Sequence, residues 1–477
     1  MDRRGFTRSL IAGAMAPVHA AYRASRSLIQ AGPTSMTAQF DVRQFGAKGD
    51  GRADDSQAFI RALAAAATRG GIVVVPTGTY RSPQTLHLAS GVSVRGTGAS
   101  SIILHVNGEP LVFVAIDAQT IGVQDLAIAG RFAHGVLFER CSDAMISRCH
   151  ISGGTVPLAG YSGAVFVAGC DGVTVQDCRF ERNGAEAQLG GADFQCDGLG
   201  AASRHVRVLR NECISTDVAF NIRCHDMSRS EVRGNVVRGA RLMGPPHHGY
   251  GILVYPTVAD LESCVENTIA DNRVSQTQGS GIYLVRSHRS RIENNIIDRV
   301  ATLQADHTLP VAGIALNQCE FVSVLRNKIS NSGHAGISVA SDRAGVGHAE
   351  VSKNVISTTG GYGVHLRGTL IDVHVTDNVI WRAHGGIGGD TADEQDEIEI
   401  ARNTITSVLR GAGIRLGNSA RSNVTGNTVS DCTGYGLDVT FRDNASSASN
   451  NVVRNAGTTW GAGGDSVSIT RRGIRQK

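Results

Sequence analysis

An asparagine that recurs at a nearly constant spacing limits the fold of this chain more than any other feature of its sequence. Successive asparagines from Asn354 to Asn451 lie 24, 25, 24 and 24 residues apart, and each is followed at the next-but-one position by Ile or Val. A fixed period of this length is typical of a solenoid, in which each repeat packs mainly against its neighbours. The earlier asparagines of the series are Asn211, Asn235, Asn272, Asn295 and Asn327.

Apolar residues alternate within each repeat, which predicts short strands. Ile314 and Leu316 form one such pair, and Val322 and Val324 form the next. Alternation with a period of two places these side chains on one face of a strand. Since no helical pattern separates the strands, we predict an all-β fold. It is a single-stranded parallel β-helix, whose asparagines stack into a side-chain ladder at one turn.

The glycine-rich stretch FDVRQFGAKGDGRADDSQAF, residues 40–59, leads into the one segment with a helical pattern. It lacks the GxxxxGK[ST] spacing of a phosphate-binding loop. We predict instead an amphipathic α-helix that is capped by Asp54 or Asp55, ends at Gly70 and covers the first coil of the solenoid. The apolar face of this helix is predicted to comprise Phe59, Ile60, Leu63 and Ala67.

The N-terminus, MDRRGFTRSLIAGAMAPVHA, resembles a twin-arginine export signal because Arg3 and Arg4 precede a short apolar stretch and a small-residue cleavage site. That stretch is shorter than the ~20 residues that span a bilayer, as is every later apolar run. We therefore expect a periplasmic or extracellular protein with no integral membrane segment after cleavage. The net charge of +4 is spread along the chain and predicts no nucleic-acid surface.

The ten cysteines follow the repeat, so we interpret them as small core residues and predict no metal site from them. Cys149 and Cys178 occupy the asparagine position of early coils. The cysteines that lie eight residues before that position are Cys141, Cys170, Cys264 and Cys319.

Two motifs near the N-terminus resemble a known superfamily. FGAKGDGRADDSQAF followed by GGIVVVPTGTY is similar to the N-terminal signature of the pectate-lyase-like β-helix proteins, which include polygalacturonases, mannuronan C5-epimerases, polysaccharide lyases and phage tailspikes. The resemblance implies a right-handed coil and a carbohydrate-active protein that binds a glycan along a groove outside one parallel sheet. We accordingly assign residues 1–36 to the signal and linker, 37–133 to the cap and first coils, 134–456 to the repeats and 457–477 to a C-terminal cap and basic tail.

Aligning the strands that open successive coils predicts which side chains face outward. We take Gly163, Gly191, Ala219, Gly251, Gly281 and Gly313 as equivalent, and expect the second and fourth residues after each to point out. Polar groups then concentrate in the middle of the series, where Asp197 and His225 follow two positions later with Asp226 beside them. The predicted outward residues are Val165, Asp193, Asn221, Leu253, Tyr283, Ala315, Val167, Gln195, Arg223, Tyr255, Val285 and Asn317.

This concentration of polar side chains suits proton abstraction from a uronate. In a lyase or C5-epimerase, Arg223 would neutralise the substrate carboxylate, His225 would be the base, and Tyr255 or Tyr283 would be the acid. The segment VAFNIRCHD, residues 218–226, is similar in type to the Tyr-Gly-Phe-Asp-Pro-His motif of alginate epimerases, although it lacks the proline and shifts the histidine by two positions. The predicted substrate-binding residues are Gln195, Asn221, Arg286, His247, His248 and Asn317.

Two other functions stay open at this stage. A hydrolase of the polygalacturonase type would use two carboxylates from Asp193, Asp197 and Asp226, but the Asn-Thr-Asp, paired-aspartate and Gly-His-Gly motifs of that group are missing. A noncatalytic glycan-binding or envelope-structural solenoid is the third possibility. No cofactor is required by any of these functions. Calcium, which several relatives use, is left open because no DxDxDG motif occurs, and the oligomeric state is open as well.

Overall fold

A computed structural model describes residues 38–156, 163–184, 191–198, 201–216, 218–241, 249–257, 264–302, 311–389, 393–457 and 467–471. The chain divides into two compact units. Unit 1 comprises Met1–His248 and Thr257–Ser263, and unit 2 comprises Gly249–Pro256 and Cys264–Lys477. The predicted export signal, His247 and His248 lie outside the described residues. Within the described ranges, no helix has the length and apolar character needed to cross a membrane.

Unit 1 begins with a helical cap. A 3-10 helix, Val42–Phe45, is followed by one α-helix, α1, Ser56–Ala67. Asp54 Oδ1 accepts a hydrogen bond from the backbone N–H of Ser56 (2.9 Å). The carboxylate of Asp55 instead accepts from the backbone N–H groups of Lys48 (2.7 Å) and Gly49 (3.1 Å). Asp55 therefore holds the glycine-rich turn against the start of α1, so this stretch has a structural role in the fold.

The predicted cap helix is confirmed, but its end and its buried face differ from the expectation. The helix ends at Ala67, three residues before Gly70, and Ile60 and Ala67 are only half-buried. A period of 3.6 residues brings a slightly rotated set of side chains onto the face that packs against the first strands. The buried apolar residues of α1 are Ala58, Phe59, Ala62, Leu63 and Ala66.

The strands of unit 1 form three parallel sheets, and successive strands of each sheet come from successive coils. Sheet A contains Leu86–His87, Leu111–Ile116, His134–Glu139, Gly163–Ala168, Ala192–Asp197 and Phe220–His225. Sheet B contains Gln39–Asp41, Gly71–Val74, Val92–Arg95, Gln119–Gln124, Ser142–Ser147, Asp171–Gln176, Ser203–Arg204, Arg207–Leu209, Met227–Ser228 and Glu231–Arg233. Sheet C contains Asp50–Asp54, Gly78–Arg81, Ser101–His105, Ala127–Phe132, His150–Gly154, Arg179–Glu181, Glu212–Cys213 and Val236–Arg238.

Unit 2 is built in the same way from sheets D, E and F. Three long strands, Ala335–Ser352, Val355–Thr376 and Val379–Gly388, bend from one sheet into the next. The other strands of sheet D are Tyr250–Tyr255, Ile282–Val285, Ala312–Asn317, Ile414–Ala420, Leu437–Phe441 and Val467–Arg471. Sheet E adds Thr268–Ala270, Arg291–Glu293, Val322–Leu325, Gln395–Ala401, Asn423–Thr425 and Ser447–Ser449, and sheet F adds Arg273–Ser275, Ile296–Val300, Lys328–Ser332, Thr404–Val408, Thr428–Cys432 and Val452–Ala456.

The predicted asparagine ladder is confirmed and closes one corner of each coil. Asn403 Oδ1 accepts from the backbone N–H of Asn378 (3.0 Å), and Asn403 Nδ2 donates to the carbonyl of Val375 (2.8 Å). The residue before each ladder asparagine is left-handed, as in Arg402 (φ 55) and Asp377 (φ 56). Because this corner leaves backbone groups without strand partners, the amides satisfy buried polar groups that would otherwise destabilise the coil.

Cysteine thiols replace the asparagine amides in two early coils of unit 1. The backbone N–H of Cys149 donates to Cys178 Sγ (3.4 Å), and the N–H of Cys178 donates to Asn211 Oδ1 (3.0 Å). The Cys149 thiol in turn donates to the carbonyl of Val123 (3.4 Å). All ten cysteines are free and buried. Their interpretation as core residues stacked by the repeat is therefore confirmed.

Candidate functional site

The register of sheet A decides which side chains reach its outer face. Gly163 pairs with Ala192, one residue later than the predicted partner Gly191. The expectation that Val165 and Val167 point outward is therefore wrong, since a shift of one residue exchanges the two faces of a strand. Val165 is fully buried and stacks in register with Phe194, which itself pairs with Ile222.

Asp193 and Asn221 also differ from the prediction, because they occupy the corner between sheets C and A. Asn183 Nδ2 (3.3 Å) and the Ser215 hydroxyl both donate to Asp193 Oδ1, and Asn221 Nδ2 donates to Oδ2 (3.1 Å). Asn183 and Ser215 each follow a strand of sheet C. Burial raises the pKa of Asp193 to about 7, and these hydrogen bonds oppose that rise. Asp193 thus connects the two sheets inside the coil.

Four of the predicted residues, which we call the quartet, come together on the outer face of sheet A: Gln195, Asp197, Arg223 and His225. Gln195 Nε2 donates to Asp197 Oδ2 (2.9 Å), and His225 Nδ1 lies 2.9 Å from Asp197 Oδ1. Arg223 Nε donates to His225 Nε2 (2.6 Å). These contacts form a chain of carboxylate, imidazole and guanidinium. In this chain His225 Nε2 is the acceptor for Arg223 Nε, and His225 Nδ1 faces the carboxylate of Asp197.

The charges within the quartet keep His225 neutral. Burial and the positive charge of Arg223 lower the pKa of His225 to about 4, against the opposing effect of Asp197. Burial by itself raises the pKa of Asp197, but the charge and hydrogen bond of His225, together with the charge of Arg223, outweigh it. The pKa of Asp197 therefore lies below its ordinary value. All four side chains are buried.

Asp226, the neighbour of His225, holds a turn. Its backbone is left-handed (φ 46), and its Oδ1 accepts from the backbone N–H of Thr257 (3.0 Å). The hydroxyl of Thr257 donates to the other carboxylate oxygen. Because Thr257 engages both oxygens, Asp226 has a structural role that the sequence did not indicate.

Apolar side chains adjoin the quartet on the outer face. Arg223 lies over the ring of Phe220, 5.1 Å from its centroid. A buried cluster occupies the preceding strands, and the ring of His134 lies 5.0 Å from the ring of Phe166, a member of this cluster. His134 was missed by the sequence analysis, although its place beside the opening glycine of the strand, in AHGVLF, is a usable signal. The cluster comprises Leu111, Val114, Ile116, Ala133, Leu137, Phe166 and Ala168.

The remaining predicted residues lie in unit 2. The rings of Tyr250 and Tyr283 lie 5.2 Å apart, and Asn317 Nδ2 donates to the Tyr283 hydroxyl (3.4 Å). Arg286 Nε donates to the side-chain carbonyl of Gln318 (2.9 Å). Tyr255 ends the first strand of sheet D. The roles of Tyr255 and Tyr283 as acids stay predictions.

No group of three or more His, Cys, Asp or Glu side chains suited to a metal ion occurs in the ranges that the structure describes. The possible use of calcium accordingly stays a prediction.

Two family models match the chain. Residues 39–224 match the model described as rhamnogalacturonase A/epimerase, pectate lyase-like. Residues 261–346 and 312–472 match the model of the right-handed β-helix region. The prediction of a right-handed parallel β-helix is thus confirmed, and the match over residues 39–224 supports the resemblance to pectate-lyase-like proteins. No curated protein matches the sequence.

Several solved structures are similar to this chain at low sequence identity. A mutant tailspike protein of E. coli bacteriophage HK620, in complex with a pentasaccharide, is 13% identical with a TM-score of 0.53, over 91% of this chain and 78% of that chain. The catalytic unit of a GH87 α-1,3-glucanase from Streptomyces thermodiastaticus is 14% identical with a TM-score of 0.46, over 94% of this chain and 70% of that chain. The AlgE6 A-module, a mannuronan C-5 epimerase of Azotobacter vinelandii, is 17% identical with a TM-score of 0.41, over 91% of this chain and 100% of that chain.

Proposed function

We propose that this protein is an exported enzyme that removes the C5 proton of a uronate unit in an acidic polysaccharide, as a C5-epimerase or a lyase. The observation that carries the proposal is the contact chain from Asp197 through His225 to Arg223 on the outer face of sheet A. The family model over residues 39–224, described as rhamnogalacturonase A/epimerase, supports a carbohydrate substrate.

Arg223 binds the uronate carboxylate in this proposal. Its guanidinium stays charged at any physiological pH and presents a planar set of donors that matches a carboxylate. Neutralising the carboxylate stabilises the negative charge that develops when the adjacent C5 proton leaves. The ring of Phe220, 5.1 Å from the guanidinium, positions the cation from behind.

His225 is the base. Its Nε2 accepts from Arg223 Nε at 2.6 Å in the absence of substrate, so the base is occupied until the guanidinium turns towards a carboxylate. Substrate binding then frees the Nε2 lone pair for the C5 proton. Asp197, whose Oδ1 lies 2.9 Å from Nδ1, stabilises the imidazolium that forms. The base is therefore coupled to recognition of the acidic group.

Hydrolysis is the less favoured reaction because it needs a second carboxylate. Both oxygens of Asp193 and of Asp226 already accept hydrogen bonds within the fold. Glu139 stands in the same outward column as Asp197, two strands earlier, but its carboxylate contacts Arg140. Asp197 is thus the one carboxylate of the three predicted that the Arg–His contact chain engages.

The test is an assay of the mature protein on acidic and neutral polysaccharides, with and without calcium. Ultraviolet absorbance detects unsaturated uronate, a reducing-end assay detects hydrolysis, and proton NMR detects inversion at C5. Unsaturation or inversion that His225→Gln and Arg223→Gln abolish would support the proposal. Asp177→Asn, which alters an exposed ion pair with Arg210, is the control that should keep full activity. New reducing ends without unsaturation would identify a hydrolase, and glycan binding without any turnover would identify a binding solenoid.

A further inference from the structure

His134 is a buried titratable group on the outer face of sheet A that the proposed reaction does not use. It opens the strand His134–Glu139 and is only 4% exposed. Its ring contacts Phe166 of the apolar cluster at 5.0 Å. The negative charge of Asp197 opposes the effect of burial on the pKa of His134. His134 therefore lies within electrostatic range of the quartet.

Packing does not require a histidine at this position. The register places Leu111 beside His134 on one side and Gly163 on the other. Farther along the same column stand Ala192 and Phe220. Every other residue of this column is therefore apolar or lacks a side chain, so a leucine or an aromatic ring suits the site.

The ring of His134 also has a nitrogen whose hydrogen-bonding capacity is not satisfied. Its Nδ1 is buried and has no hydrogen-bond partner among the residues that the structure describes. Burial lowers the pKa of His134 to about 4, so the imidazole is neutral near pH 7 and offers one donor and one acceptor. A buried polar atom without a partner destabilises the folded state. An ordered water or a ligand can supply the missing partner.

We infer that His134 is a substrate-positioning residue, whose ring nitrogen forms a hydrogen bond with a hydroxyl group of the glycan. This inference rests on the proposed function, because it takes the bound molecule to be a polysaccharide. A neutral imidazole among apolar side chains does not attract a carboxylate but suits a hydroxyl. His134 thus selects a hydroxyl-bearing part of the chain, and Arg223 selects the acid.

The test compares His134→Leu and His134→Gln with the wild type. Thermal denaturation measures the cost of the unpaired nitrogen, and calorimetry with oligogalacturonate and oligoalginate measures binding. We expect His134→Leu, which copies Leu111, to raise the melting temperature while Kd and KM rise about tenfold and kcat changes little. His134→Gln retains a donor and an acceptor and should recover part of the affinity.

Two results with the variants would overturn the inference. One is an unchanged Kd for His134→Leu, and the other is a melting temperature that falls in both variants, which would make the ring a packing element.

If the wild type binds a glycan without turning it over and His134→Leu weakens that binding, the inference stands and the proposed reaction fails. If His225→Gln abolishes turnover but His134→Leu binds normally, the reaction stands and the inference fails. A wild type that binds no glycan would refute both.

Discussion

Replacing one rung of the asparagine ladder tests the account of how the coils are held together. Asn403→Ala removes the acceptor of the Asn378 N–H and the donor to the Val375 carbonyl. Both backbone groups are then left buried without partners, and each unsatisfied group costs about 1–3 kcal/mol. We therefore expect a loss of about 2–6 kcal/mol, which is a large part of the ~5–15 kcal/mol by which a domain is stable.

Urea denaturation followed by circular dichroism measures this loss, and hydrogen exchange of the Asn378 amide localises it. Asn423→Ala is the matched control, because that side chain is exposed and accepts one bond, from the Ser447 hydroxyl. It should change the free energy of unfolding by less than about 0.5 kcal/mol. Equal effects of the two substitutions, or a loss below about 1 kcal/mol for Asn403→Ala, would show that the ladder does not bear the stability assigned to it.

Three further predictions concern the cysteine rung of the ladder, the two buried histidines and the export signal. Cys178→Asn should at least preserve stability, because an amide replaces the weaker thiol as acceptor for the Cys149 N–H, whereas Cys178→Ala should cost about 1–3 kcal/mol by urea denaturation. The folded pKa values of His225 and His134, both about 4, lie below the ordinary 6.5, so the unfolded chain binds more protons and stability is lost as pH falls from 6.5 to 4. Each histidine contributes up to about 3 kcal/mol to that loss, and His134→Leu should flatten the pH profile of the urea midpoint. For export, Arg3→Lys with Arg4→Lys should leave the protein in the cytoplasmic fraction on immunoblots, whereas an unchanged distribution would exclude the twin-arginine route.

The period of the sequence was enough to predict the solenoid and its ladder, and the helical pattern before Gly70 predicted the capping helix. These features depend on local spacing, which is regular from Asn354 onward. The outward face was predicted less well, because the coils between Cys149 and Asn211 are 29 and 33 residues long. One residue of uncertainty in aligning Gly163 is then enough to turn Val165 and Val167 to the wrong side.

The chemistry of the site depends on contacts that no spacing encodes. The residue types of the quartet were predicted, but the hydrogen bond that Arg223 gives to the proposed base depends on side-chain conformation. From the sequence alone, Asp193 and Asp226 were as plausible as Asp197 as catalytic carboxylates. Their partners Ser215 and Thr257, which lie 22 and 31 residues away along the chain, assign them to the framework instead.

The ladder also makes one coil the natural unit by which such a chain changes length. Within each unit, consecutive ladder residues are separated by as few as 23 and as many as 33 residues, yet the same hydrogen bond, from the backbone N–H of one residue to the side chain of the next, links them. Extra residues are therefore accommodated away from the ladder, and gene duplication of about one period adds a complete rung whose amide finds a ready partner above and below. A scaffold of this kind can lengthen its binding face stepwise while the chemistry stays on the coils where it arose.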